Sequence, residues 1–200
     1  MRPLIISLVQ SINGSYAQDG WSTGVSTDAD FAYFRSLRRG ASAIIVDRRT
    51  ALNPQLPVIN AAGKALEHTP VHVLTESDAT SLQRELTELG LDYRAQQFTP
   101  ATVAEVLAEI ATAPSPASRQ ANSVGSGTDV DEDALLCESG PNLAFRLLDA
   151  YPAAELHLSL SPRYIRSSAS HFSRLETEID LRVVDVRTVD DQVFIRYVKA

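Results

Sequence analysis

Two short stretches carry the residue types best suited to holding an anion. In the first, Glu138-Ser139-Gly140-Pro141-Asn142 interrupts the apolar run Ala134-Leu135-Leu136-Cys137 and precedes Leu143, Leu147 and Leu148, which share one helical face. Pro141 suits a first helical position, because its missing N–H would be unpaired there anyway, and Gly140 permits unusual backbone angles. A buried strand that turns tightly into a helix leaves N–H groups at the helix start, where phosphate or another anion can sit. In the second, Asp47-Arg48-Arg49-Thr50 follows the apolar residues 41–46, so its side chains fall at the carboxyl edge of a sheet. Guanidinium forks there match phosphate geometry. Each stretch also has a plainer reading. Many glycine-containing strand–helix turns bind nothing, Arg48 and Arg49 could be solvated surface charges, and Glu138 could do no more than accept N–H bonds at the helix start.

Other chemistries find little support. His68 and His72 are four apart but flank Pro70, which prevents a shared helical face, and the four histidines show no metal-binding spacing. No metal is therefore expected. Cys137 is the only cysteine, which excludes an internal disulfide, and its apolar neighbours mark it as a packed core thiol. A net charge of −7 argues against a general nucleic-acid surface. No segment approaches the length of a membrane span, and the short run Leu4 to Val9 reads as a first buried strand rather than a signal-peptide core. A cytoplasmic location is expected.

The elements that must position these residues alternate. Strands are expected at 3–9, 41–46, 57–60, 71–75, 93–98, 134–137 and 155–160. A helix capped by Ser26 or Thr27, with Phe31, Phe34 and Leu37 on one face, ends at Gly40. A second helix spans 78–89, and a third starts from Thr99 with Pro100 at its first position. Leu156, Leu158 and Leu160 alternate with Glu155, His157 and Ser159, which predicts one wetter face. Near the C-terminus the apolar face shifts between Val183 and Val184, which predicts a bulge, and Asp190-Asp191 turns the chain into a hairpin. Residues 113–133 offer almost nothing to bury and read as a mobile loop within a single domain spanning residues 1–200. The sum is an α/β architecture with a mostly parallel central sheet flanked by helices and a C-terminal antiparallel hairpin.

The motifs resemble the reductase domain of the bifunctional riboflavin-biosynthesis deaminase/reductase family, a pyrimidine reductase with a dihydrofolate reductase-like fold. Leu135-Leu136-Cys137-Glu138-Ser139-Gly140-Pro141-Asn142 is similar to that family's Glu-Gly-Gly-Pro turn. Ser11 to Gly14, Val25-Ser26, Leu37-Arg38, Ala43 to Thr50 and Asn53-Pro54-Gln55-Leu56 follow in the family's order. The resemblance implies NADPH as cofactor. Arg48 and Arg49 would meet its 2′-phosphate and Thr50 its diphosphate, with Ser139, Gly140, Pro141 and Asn142 forming the diphosphate turn. It further implies that Glu138, Asn13 and Ser26 stand at the catalytic side, in contact with substrate or cofactor.

Several positions depart from the family pattern. Ser139 replaces the first turn glycine, Asn13 an aspartate, Ser15 a lysine and Asp47 a glycine, while the segment between Thr50 and Pro54 is two residues shorter. These positions help bind a sugar phosphate in the family. Three activities therefore stay open. One is 5-amino-6-(5-phosphoribosylamino)uracil reduction by hydride transfer, and another is reduction of a different conjugated imine such as a pterin or dihydrofolate. The third is a catalytically silent member that binds a nucleotide or a partner. The expected ligand is a small pyrimidine or pterin, and a homodimer is expected because the C-terminal hairpin would otherwise expose an apolar edge.

Overall fold

The structure is a computed structural model that describes residues 2–53, 55–61, 63–64, 66–113, 133–166 and 178–200. Of the expected loop at 113–133, residues 114–132 lie outside the described residues, as do the family position Pro54 and residues 167–177. In chain order the elements are β1 (Leu4–Ser11), α1 (Asp28–Gly40), β2 (Ala41–Asp47), α2 (Arg48–Ala51), α3 (Gln55–Asn60), β3 (Val71–Thr75), α4 (Ala79–Glu88), β4 (Arg94–Gln97), α5 (Val103–Thr112), β5 (Ala134–Cys137), α6 (Pro141–Ala150), β6 (Ala154–Ser161), β7 (Leu181–Val189) and β8 (Gln192–Lys199).

The strands form one eight-stranded sheet in the order β4-β3-β2-β5-β1-β6-β8-β7. Neighbours from β4 to β6 are parallel, and β8 then runs antiparallel to both β6 and β7. Period-two alternation assigns the side chains of the central strands to two buried layers. Ala43 and Ile45 of β2 pack with Leu4, Ile6, Leu135, Cys137 and the apolar faces of α5 and α6. Ile44 and Val46 point the other way, into a cluster with Val71, Val73, Leu82 and Leu86. Leu37 of α1 meets Ile5 and Leu136 on a third patch. Both faces of β5 are buried, as its continuous apolar run requires.

The predicted bulge is present, with the β7–β8 register shifting between Val183 and Asp185. Thr27, not Ser26, caps α1, its side-chain oxygen accepting the Asp30 N–H. Three expectations need correction. Residues 57–60 lie in the short helix α3, not a strand. Asn53 Oδ1 accepts the Gln55 N–H at 3.0 Å, and Pro57 falls in the first turn, where its missing donor costs nothing. The third expected helix starts at Val103, because residues 99–102 close a tighter turn in which Thr99 Oγ1 accepts the Thr102 N–H. The wetter face of β6 is not wet. His157, Ser159 and Ser161 are all buried, and Tyr33 of α1 and Arg196 of β8 reach that side of the sheet.

Candidate functional site

The carboxyl ends of β2 and β3 border a crevice of about 410 Å³. Its lining comes from four places: Asp47, Arg48 and Arg49 at the end of β2, Leu74, Thr75, Glu76 and Ser77 at the end of β3, Phe98 after β4, and Asn142, Leu143 and Arg146 on the first turns of α6. Leu74 and Leu143, with Phe98, give it an apolar side; three guanidinium groups give it a cationic one. A volume of this size takes part of a dinucleotide rather than all of it.

Each arginine has a partner of its own. Arg48 grips Glu85 of α4 at two points, Nε–Oε2 at 2.9 Å and Nη2–Oε1 at 2.6 Å. Arg146 donates to Glu76 at 2.7 Å. Arg49 instead donates to the Gly20 carbonyl at 2.6 Å, and its guanidinium lies 5.3 Å from the Trp21 ring. The side chains of the two carboxylate pairs are between about a third and just over half solvent-exposed, where such pairs are worth at most about 1 kcal/mol. A phosphate dianion entering the crevice can therefore displace the carboxylates at small cost.

The strand–turn–helix motif adopts a simple geometry. Gly140 caps α6 with extended backbone angles that any residue can adopt, so its glycine is not explained by conformational freedom. A side chain built there would meet nothing within 4 Å. Gly140 has no side chain to cap the first N–H groups of α6, no other side chain does so among the described residues, and Pro141 takes the first position. The helix head is thus open, and a larger residue at 140 would occupy that opening. Ser139 is buried, and its Oγ accepts the Asp47 N–H at 2.7 Å, tying the end of β5 to the end of β2. Asp47 in turn caps α2, its Oδ1 accepting the Thr50 N–H at 2.7 Å. The Cys137 thiol, directly before this turn, is fully buried and pushed up to about 12 by that burial, which leaves it an inert core group.

Of the residues singled out from the sequence, Arg48, Arg49 and Asn142 meet in the crevice. Thr50, Ser139, Gly140 and Pro141 frame its neighbouring backbone turns. Glu138, Asn13 and Ser26 are not among its lining. The Glu138 carboxylate is enclosed and held by Arg38, Nε to Oε1 and Nη2 to Oε2 at 2.6 Å each. Asn13 receives the Ser11 hydroxyl and the Ile165 N–H on Oδ1 and donates Nδ2 to the Ile165 carbonyl. It therefore joins the turn after β1 to the chain after β6. Ser26 is buried, its hydroxyl donating to the Ser22 carbonyl at 3.3 Å.

Sequence reasoning missed Arg146, Ser77, Glu76 and Phe98. Arg146 had a signal: it lies four residues after Asn142, hence on the same helical face as the head of α6. Missed too was a buried polar chain on the opposite part of the sheet. There the Tyr33 hydroxyl and His157 Nδ1 are 2.7 Å apart, His157 Nε2 and Glu155 Oε2 are 3.3 Å apart, and Arg196 donates to the same Glu155 oxygen at 3.1 Å. Because an ionised carboxylate only accepts, Nε2 carries the imidazole proton and Tyr33 donates to Nδ1. Burial holds the His157 imidazole below its ordinary value, against the pull of Glu155 in the other direction.

No protein-family model matches the sequence, and no curated protein does. Solved structures match it over its whole length. A pyrimidine reductase-like protein from Corynebacterium diphtheriae is 15% identical with a TM-score of 0.65, covering 100% of this chain and 92% of that one. A diaminohydroxyphosphoribosylaminopyrimidine deaminase/5-amino-6-(5-phosphoribosylamino)uracil reductase from Thermotoga maritima is 16% identical, with a TM-score of 0.58 over 100% of this chain and 57% of that one. Dihydrofolate reductase from Enterococcus faecalis, complexed with NADP(H), is 14% identical, with a TM-score of 0.56 over 98% and 96%. At these identities the likeness is one of fold, and it is the same fold that the sequence motifs resemble. The chain has a dihydrofolate reductase-like α/β fold, shared with pyrimidine reductase-like proteins.

Proposed function

We propose that the protein is an NADPH-dependent reductase of the riboflavin-biosynthesis type, with 5-amino-6-(5-phosphoribosylamino)uracil as first candidate substrate and a pterin or dihydrofolate as the second. The crevice at the ends of β2 and β3 carries this reading, because three arginines and an open helix head converge on it. Arg48 and Arg146 would hold the 2′-phosphate. The head of α6, with Gly140, Pro141 and Asn142, would take the diphosphate, with Thr50 and Ser139 fixing the adjoining backbone. Bound NADPH would supply the hydride; the protein would orient it and keep the diphosphate charge satisfied. The fit is supported by the empty space where a side chain on Gly140 would stand. Titration with NADPH and NADH, followed by reduced-nicotinamide fluorescence, tests it. Saturable binding that prefers NADPH is expected, followed by its oxidation when the pyrimidine is added; binding of neither nucleotide would end the proposal.

A second reading has its own support. Both Glu138 oxygens are committed to Arg38, and the Asn13 amide is committed to Ile165. A chain that keeps the nucleotide crevice while its acidic group is neutralised would bind NADPH without turnover. Binding with no oxidation by any pyrimidine or pterin supplied would select this silent form.

Pairing into a homodimer belongs to the same proposal. The β7 strand lies at the sheet edge and exposes Val183, Val184, Val186 and Val189. A second copy is the simplest cover for a long apolar edge.

A further inference from the structure

We propose that Arg49 is a positioning residue that couples the anion crevice to the Trp21 turn. The guanidinium that lines the crevice is the one that holds the Gly20 carbonyl and faces the Trp21 ring. The proposal rests on the crevice taking a phosphate, and goes beyond it by giving Arg49 a task separate from that of Arg48 and Arg146.

The turn is built to receive this side chain. Gln18 and Trp21 exchange both backbone bonds, at 2.9 and 3.0 Å, and Asp19 and Gly20 between them have φ of 51° and 86°. This is the two-residue primed turn of a tight hairpin, in which the second central position favours glycine. Gly20 has a further reason to be glycine. A Cβ at this position would lie 2.4 Å from Arg49 Nη2, so the guanidinium occupies the space that a side chain would need. The guanidinium tip thus lies directly against the turn backbone.

Arg49 also differs electrically from its neighbours. Arg48 and Arg146 each face a carboxylate, whereas among the described residues Arg49 has no ion-pair partner. Its contacts are a neutral carbonyl and an aromatic face. A phosphate forms stronger, charge-assisted bonds than a carbonyl does, and it weakens a cation–π contact by neutralising the cation. An anion in the crevice therefore draws Arg49 away from Gly20 and Trp21. The affected turn is short, and the chain is held three residues beyond Trp21, where Arg163 donates to the Gly24 carbonyl at 2.8 Å. Movement of Arg49 is consequently passed into the loop between β1 and α1 rather than lost in solvent.

Trp21 is the sole tryptophan, so the coupling has a built-in reporter. The probe is adenosine 2′,5′-bisphosphate, which carries the phosphates but no nicotinamide to quench the indole by energy transfer. Tryptophan emission and calorimetric heat are followed on the same protein. A saturable emission change with the midpoint of the heat is expected. In Arg49→Ala, heat persists through Arg48 and Arg146 with a weaker midpoint, while the ligand-induced emission change disappears. Arg49→Lys keeps the charge but lacks the planar fork; it covers the case in which Arg49→Ala fails to fold or to bind, and should give heat with a much reduced emission change. Heat without any emission change in the unaltered protein overturns the coupling and leaves the crevice intact. An emission change that survives both substitutions overturns the role of Arg49. The absence of heat in the unaltered protein overturns the crevice and the coupling together.

Discussion

Arg38 meets the buried Glu138 carboxylate edge-on, one nitrogen to each oxygen at 2.6 Å, while the face of its guanidinium lies 4.1 Å from the Phe34 ring. The Glu138 side chain is 2% exposed, so the pair takes the place of water for that carboxylate. Removing one partner leaves an uncompensated buried charge. Arg38→Ala should therefore cost about 3–5 kcal/mol in urea unfolding. Glu138→Gln, which removes the charge but keeps the shape, should cost less. A loss below about 1 kcal/mol for Arg38→Ala would show that water reaches the carboxylate after all. Burial pushes the Glu138 carboxyl upward and Arg38 opposes it.

Ser139 supplies a second check at the same turn. It stands where the resembled family has glycine, and its hydroxyl accepts the Asp47 N–H. Ser139→Ala leaves that donor without its partner in a buried place, at a cost of roughly 1–3 kcal/mol. Ser139→Gly should cost no less by this route, and the melting temperature of both should fall. Unchanged melting would mean that another acceptor replaces the serine.

The α/β layers and the C-terminal hairpin were legible in the sequence because they follow from periodicity. Residues 134–137 are a continuous apolar run and residues 41–46 are apolar apart from Ser42, and both strands are buried on two faces. The bulge after Val183 was legible for the same reason. What sequence could not give was long-range pairing. Arg38 and Glu138 are a hundred positions apart, and nothing local marks one as the partner of the other. The same holds for Asn13 and Ile165, whose contact turns a candidate polar group into a tie between two loops. The β6 face was misjudged because alternation reports polarity, while burial depends on what covers the strand; Tyr33 covers and bonds His157, and Arg196 pairs with Glu155.

Acid should weaken the fold through its buried histidines. Burial lowers both His157 and His72 from the ordinary value of 6.5, the latter against the hydrogen bond that its Nδ1 donates to Gln96 Oε1. Between the lowered folded values and 6.5 the unfolded chain binds protons that the folded one does not. Stability is therefore full above 6.5 and falls as pH drops through that value. The slope is at most about 1.4 kcal/mol per pH unit for each histidine. Urea unfolding at a series of pH values should show this decline, and His157→Gln should make it shallower. A profile flat from neutral pH downward through 6.5 would mean that neither imidazole stays neutral on folding.

The β7 edge gives a test of assembly. Val184 and Val186 are 40% and 57% exposed on a strand whose outer side has no neighbour in the sheet. Sedimentation at micromolar concentration should give a dimer, and replacing both by Lys should give a monomer that keeps its folded spectrum. A clean monomer before any substitution removes the dimer from consideration.

The crevice itself is tested by selectivity. If Arg48 and Arg146 bind the 2′-phosphate, replacing both by Ala should cost NADPH roughly 1.5–3 kcal/mol per lost charge-assisted bond and leave NADH nearly unchanged. Glu85→Gln and Glu76→Gln should act in the opposite direction, because each frees an arginine from a carboxylate that the phosphate must otherwise displace. These neutralisations lie on exposed pairs and should leave the melting temperature almost unchanged. Gly140→Val, by contrast, should weaken NADPH and NADH alike, since its side chain would stand in the open space at the head of α6 rather than near the 2′-phosphate. The three classes of variant thus give three patterns: loss for NADPH alone, gain for NADPH, and loss for both. Equal losses for the two nucleotides in Arg48→Ala/Arg146→Ala would place the 2′-phosphate elsewhere, and unchanged binding in Gly140→Val would take the diphosphate away from α6.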